Sequence, residues 1–430
     1  MIQSKAYIIS IKGPILFLSL LFFYSCSSYI KYLEKQDSEE LILKSQLKDK
    51  ELYCSPKAKN STQRETYNIV HSSESGRDEF SKIINSMTRH NQYSISELGL
   101  FYILYNSIVR PDSTGWNSRL QLFVNEGGQQ YYYDLHEDQN NFIHAINVLK
   151  DNKLSKLSQN QLLKKAKSHF PKKMTVQKQF SEYLEKQRDH LSKSQKRKYF
   201  RLNKPLQKGE TFPINQNLFT PIQVRYQKIE KAPLFNIKET PKAVCNFDSK
   251  LYESGIFIIH DDNLHENIFA ITAKNGDFII VASSSGTLKK AHSLIARSVV
   301  EVPKFNTPLC HYEDEQKSFT SVAFDSRDSG QLLYHLFQYG YFKSKNLEEL
   351  IEYTSYARHL FLTNPPRMLY ESKRGTPKEL NYFLSLNFPV YHAKEIGQIH
   401  TMASFNLKEK SRSTIFVQDE RTSYFQSCHQ

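Results

Sequence analysis

The sequence is 430 residues long, with 58 Lys and Arg against 44 Asp and Glu, a formal charge of +14. At 39% hydrophobic and 24% charged, with 28 Phe and 26 Tyr, it has apolar area for about two globular domains, which excludes disorder throughout. Its 14 glycines are scattered; no G-x-G-x-x-G or P-loop can be written, and G-x-S-x-G, H-E-x-x-H and C-x-x-C are absent, so the commonest nucleotide, serine-hydrolase and zincin signatures are missing.

Lys5 and Lys12 precede an apolar run from Ile15 to Tyr24, followed by Ser25-Cys26-Ser27-Ser28. Ten residues, apolar but for Ser19, cross only about half a bilayer core, so the run predicts a signal peptide over residues 1–25. The arrangement resembles the lipobox of bacterial lipoproteins, with Ser25 before the cysteine to be lipidated, Cys26, and Phe23 where Leu is usual. That resemblance implies a lipid anchor on an exported protein, and Ser27 after the cysteine implies the outer membrane.

Residues 26–75 are polar and charge-rich, predicting a short helix and a stalk. Residues 76–204 predict a helical domain carrying one β-hairpin. Phe80, Ile83, Ile84 and Met87 recur at helical spacing; Ser94 to Val109 is a capped helix that stops before Pro111; Leu120 to Asp134 reads as a hairpin about Glu126-Gly127-Gly128; and helical periodicity runs from Asn141 to about Arg201. Five prolines, from Pro205 to Pro241, predict an extended connector over 205–241. Residues 242–430 predict an α+β domain, with a strand at Gly255–Ile259, a hairpin about Asn275-Gly276, a helix at Thr287–Val299, and strands and helices alternating to a last strand near Ile415–Gln418. The fold class is α+β: a basic helical part with a β-hairpin, then a mixed domain.

The charge is local. Between Lys150 and Lys208 there are 18 basic and 4 acidic residues, so this stretch carries the whole +14 and the remainder is neutral. Leucines and aromatics supply an apolar side to these helices, and Lys164, Lys165, Lys167, Lys172, Lys173, Lys196, Arg197, Lys198 and Arg201 supply a cationic one. Outside the cytoplasm such a face suits anionic lipid, lipopolysaccharide or cell wall; nucleic acid would suit it chemically but not by location.

Cys54, Cys245, Cys310 and Cys428 are even in number, which in an oxidising compartment predicts disulfides of open connectivity. Candidate catalytic residues are His260, Asp262 and His265 in a dense polar cluster, Asp325 and Asp328 before a helix, and His392. Imidazole and carboxylate together can hold a metal or move protons, but the spacing matches no motif, and a polar turn and a helix cap explain the first two groups better. His392-Ala393-Lys394 followed by Ala403-Ser404 is faintly similar to the phospholipase D pattern, yet Ile399 stands where that pattern needs Asp and no second copy exists. The sequence calls for no cofactor and no metal. It favours a non-enzymatic envelope protein that binds an anionic surface and a further protein partner. An envelope hydrolase with its site in the C-terminal part is the alternative.

Overall fold

The computed structural model describes residues 53–54, 67–70, 74–223, 242–247, 265–285, 307–419 and 421, apart from positions 90–91, 137–139, 187, 274, 325, 339, 364–365, 387–388 and 408–412. Cys26, Cys428, His260, Asp262, Asp325, the strand expected at 255–259 and the helix expected at 287–299 lie outside the described residues.

Asn275-Gly276 joins β10 (His265–Ala273) to β11 (Phe278–Ser285). β11 continues to β3 (Arg119–Glu126), which turns through Gly127 and Gly128, both at positive φ, into β4 (Gln129–Leu135). With β2 (Tyr67–Val70) on the outer edge of β10, these make a five-stranded antiparallel sheet ordered β2-β10-β11-β3-β4. The hairpin from the expected helical domain therefore shares a sheet with strands of the expected α+β domain.

A second antiparallel sheet of six strands is ordered β1-β18-β17-β13-β12-β9, from β1 (Tyr53–Cys54), β9 (Lys242–Cys245), β12 (Leu309–Glu313), β13 (Lys317–Phe324), β17 (Gln398–Phe405) and β18 (Ser413–Val417). Cys245 faces Cys310 across β9 and β12 and forms a disulfide with it; the backbone of Cys54 lies in β1.

The sheets pack face to face. Phe123, Ile268, Ala270, Phe278 and Ile280 of one meet Leu309, Val322, Met402 and Phe416 of the other. Alternate residues of the first sheet, Leu122, Val124, Phe269, Ile271, Ile279 and Val281, point the other way and join the helical core. Buried on both faces, β11 carries an almost unbroken apolar run, Phe278 to Ala282.

That helical layer comprises α1 (Glu74–Thr88), α2 (Ile95–Val109), α3 (Asn141–Asp151), α4 (Gln159–His169), α5 (Lys178–Lys186) and α6 (Lys193–Tyr199). Ser94 and Glu97 close a reciprocal capping box on α2. Two short pairs, β5 (Lys173–Thr175) with β8 (Thr211–Pro213) and β6 (Phe200–Arg201) with β7 (Lys204–Pro205), tie the basic helices together. The far face of the six-stranded sheet is covered by α7 (Ser329–Gln338) and α8 (Leu347–Ser355). A small sheet of β14 (His359–Thr363), β15 (Pro366–Tyr370) and β16 (Val390–His392) lies beside them with α9 (Pro377–Ser385). The result is four layers: helices, sheet, sheet, helices. Among the described residues no helix is long and apolar enough to cross a membrane.

Candidate functional site

The apolar run of β11 ends in Ser283-Ser284-Ser285, all buried, and faces the start of β10, where Glu266 pairs with Ser284 and Asn267 with Ser283. The buried loop after α2 closes over this end. Asn267 Nδ2 donates to Asn106 Oδ1 at 3.1 Å and to Thr114 Oγ1 at 3.3 Å, the Thr114 and Ser283 hydroxyls bond each other, and Ser285 donates to the Asp112 carbonyl. Arg110 forks onto the Asp112 carboxylate through Nε at 3.0 Å and Nη2 at 2.9 Å. Two atoms of the cluster, Asn267 Oδ1 and Ser284 Oγ, have no hydrogen-bond partner among the described residues.

On the inner side a second network joins the two sheets. Thr307 donates to Glu266 at 3.0 Å, and its N–H donates to Gln121 Oε1 at 2.7 Å. Gln121 and Asn246 both donate to the Tyr132 hydroxyl, at 2.6 and 2.8 Å. Burial, with Asp134 adding to it, pushes the Tyr132 phenol up to about 12. The serines and Thr114 thus meet hydroxyl, amide and carbonyl groups, none of which takes a proton from an alcohol at neutral pH. The arrangement ties β10, β11 and the loop after α2 together by hydrogen bonds.

The sequence-predicted residues are distributed over several elements. The backbone of His265 opens β10. Asp328 caps α7, its Oδ1 accepting from the Gln331 N–H at 3.0 Å. His392 lies on β16 in the small sheet, where Nδ1 meets the Ser372 hydroxyl. Among the described residues no group of three His, Cys, Asp or Glu could hold a metal ion.

Two features carried no motif in the sequence. The rings of His335 and His359 lie 4.1 Å apart, tilted by 44°, and line a small cavity with Leu332, Tyr353, Tyr356 and Arg358. Burial lowers them to about 3 and about 4. Behind them a buried ionic cluster joins Arg358 to Asp419 and Arg421 to both Glu371 and Asp419. Arg358 and Asp419 are 61 residues apart and Arg421 and Glu371 are 50 apart, and pairs that distant in sequence leave no local signal.

The basic face is built on α4 to α6. Leu162, Leu163, Phe180, Leu184 and Tyr199 enter the core, while Lys164, Lys167, Lys172, Lys173, Arg197 and Arg201 are exposed and Lys165, Lys196 and Lys198 half-buried. Lys165 Nζ donates to the Tyr93 hydroxyl at 3.1 Å. Lys198 lies over the rings of Tyr199 and Phe212, and burial lowers its ammonium to about 8. Arg201 pairs with Glu210 at 2.8 Å.

No family model matches this chain. No curated protein matches it either. Among solved structures it shares the fold of LmbA2991HD, with a TM-score of 0.51 and 8% identity over 85% of this chain and 98% of that one. It is also similar to a cephalosporin acylase from Bacillus halodurans, at TM-score 0.48, 6% identity and 85% and 97% coverage. A transpeptidase enzyme, CapD of Bacillus anthracis, matches over 36% of this chain and 55% of its own, at TM-score 0.30 and 16% identity. At 8% identity the likeness to LmbA2991HD is one of fold.

Proposed function

We propose that this chain is a lipid-anchored envelope protein that lies against an anionic surface through residues 150–208 and binds without catalysing. The observation that carries this is the division of the basic helices, whose apolar side chains fill the core while Lys164, Lys167, Lys172, Lys173 and Arg197 face solvent. Each cation near an anionic surface contributes up to about 1 kcal/mol, screened by salt. Sedimentation with anionic vesicles and with purified cell wall, at low and high salt, tests the contact. Binding that salt removes is expected; absent or salt-insensitive binding sinks the proposal. Cys26→Ala should move the protein out of the membrane fraction, and unchanged partitioning would mean that the anchor is not a lipid.

A second reading, an acyl-transferring hydrolase, is favoured by the contact between the Ser372 hydroxyl and the His392 imidazole. The layering of helices about two sheets is also that of N-terminal-nucleophile hydrolases, where a Ser, Thr or Cys uses its own α-amine as base. Beside the serine cluster β10 opens on His265, Glu266 and Asn267, none of which has a hydroxyl or thiol, and this favours binding over catalysis. Labelling by a fluorophosphonate that Ser372→Ala abolishes would decide for the hydrolase.

A further inference from the structure

Within the basic face, β6 and β7 form a minimal hairpin. Arg201 pairs with Lys204, so Leu202 and Asn203 are the entire loop. Both have left-handed backbone, φ +47 and +62, as a two-residue turn of this kind demands. Asn tolerates that conformation; a leucine there sets its Cβ against the following carbonyl. The same Leu202 is 98% exposed, far beyond any other large apolar residue described. The fold thus holds a strained leucine wholly in water.

The base of the hairpin is firm. Leu206 N–H donates to the Tyr199 carbonyl at 2.8 Å, and Tyr199 is packed in the core against Phe180 and Phe212. From Lys193 to Lys208 the chain has seven basic residues and no acidic one; Arg197, Arg201, Lys204 and Lys208, flanking the tip, are exposed.

We infer that Leu202 is an insertion tip for an anionic phospholipid bilayer, entering the acyl boundary while the flanking cations meet headgroup phosphates. The inference rests on the proposed contact of residues 150–208 with an anionic surface and names the surface. A cell-wall polymer or nucleic acid would give the cations a partner but leave the leucine hydrated; a bilayer takes up both. Strain and exposure at one residue, which cost the folded chain stability, then have a common purpose.

Trp116 is the only native tryptophan and is buried, 1% exposed, so Leu202→Trp adds an exposed reporter to the full chain. With vesicles containing phosphatidylglycerol and brominated acyl chains, emission from the introduced indole is expected to shift blue and be quenched, and neither should occur with phosphatidylcholine alone or in high salt. An anchor near Cys26 cannot mimic this signal, which reports position 202. In a Cys26→Ala background, Leu202→Asn should weaken binding to the anionic vesicles about tenfold, the scale of one leucine's transfer from water, and leave the melting temperature unchanged or raised because the strain is relieved. Salt-sensitive vesicle binding with the introduced indole unquenched would overturn the insertion and leave the wider contact standing. Absence of salt-sensitive binding to any anionic surface would overturn both. Binding confined to cell wall would overturn the choice of lipid.

Discussion

Arg421 donates through Nε to Glu371 Oε1 at 2.7 Å and through Nη2 to Oε2, with both side chains wholly buried. Glu371 also accepts from the backbone N–H of Arg358 and Ile396, so one carboxylate ties the end of β15 to the segment leading into β17 and to the chain beyond β18. The remaining Arg421 donors reach Asp419 and the carbonyls of Thr354 and Tyr356. Every group in the cluster has its partner, the condition under which a buried ion pair is tolerated.

Removing one member is therefore expected to be severe. Arg421→Met leaves Glu371 buried without its cation and should cost about 3–5 kcal/mol, read as a lowered urea midpoint. A loss below about 1 kcal/mol would mean that water reaches the site.

Acid should weaken the same region before it weakens the rest. His400 is buried between the rings of Phe324 and Phe416, and its Nδ1 accepts from the Asp419 N–H at 3.2 Å. Burial lowers this imidazole to about 4, and protonation would also break that hydrogen bond. A folded value below the ordinary one near 6.5 gives stability that is complete above pH 6.5 and lost as pH falls towards about 4, by up to about 1.4 kcal/mol per pH unit. His335 and His359 are lowered in the same way by burial and add to the loss. For Asp419, burial raises the carboxyl but Arg358 and Arg421 outweigh it and hold it at about 2; its contribution is present above about pH 4 and is lost below that. Urea midpoints from pH 7 to 4.5 should fall steeply in the native chain. They should fall less in His400→Asn, which keeps an acceptor but does not titrate.

How much of this was written locally differs from element to element. The capping pair Ser94 and Glu97, the turn at Asn275-Gly276 and the glycines after Glu126 are short-range chemistry, and each yields the element its sequence implies. The pairing of β3 with β11 joins segments about 150 residues apart, which no local period encodes. Ser283 to Ser285 are the polar residues that end β11. They are buried because the loop of Arg110 to Ser118, itself polar, folds over them. The ionic cluster and the Leu202 tip were illegible for different reasons: one depends on distant partners, the other on a backbone conformation.

The serine cluster offers a sharp contrast between neighbours. Thr114 serves both Ser283 and Asn267. Thr114→Val keeps the shape but leaves one Nδ2 hydrogen of Asn267 unpaired and Ser283 with only the Asn267 carbonyl, at about 1–3 kcal/mol. Ser284 has an unpartnered hydroxyl in the described structure, so Ser284→Ala removes a buried polar atom and should change stability by less than about 0.5 kcal/mol or raise it slightly. Chemical denaturation of the two variants decides. A large loss for Ser284→Ala would show that its hydroxyl is engaged after all.

The join between the helical layer and the first sheet can be tested at one glycine. A Cβ at Gly99 would come within 2.5 Å of Ile279 Cδ1 and 3.1 Å of its Cγ2, so α2 sits against β11 with no room for a Cβ unless the Ile279 side chain moves. The Cδ1 end of the isoleucine can swing aside, whereas Cγ2 is fixed on the branched carbon. Gly99→Ala should accordingly be mild, the gain in helix propensity of about 1 kcal/mol offsetting part of the crowding. Gly99→Val adds two carbons into a filled space and should cost about 1–3 kcal/mol. The double variant Gly99→Val with Ile279→Ala provides the room, and recovery of most of that loss would locate the strain at this contact. Equal losses in the single and double valine variants would place it elsewhere in the layer.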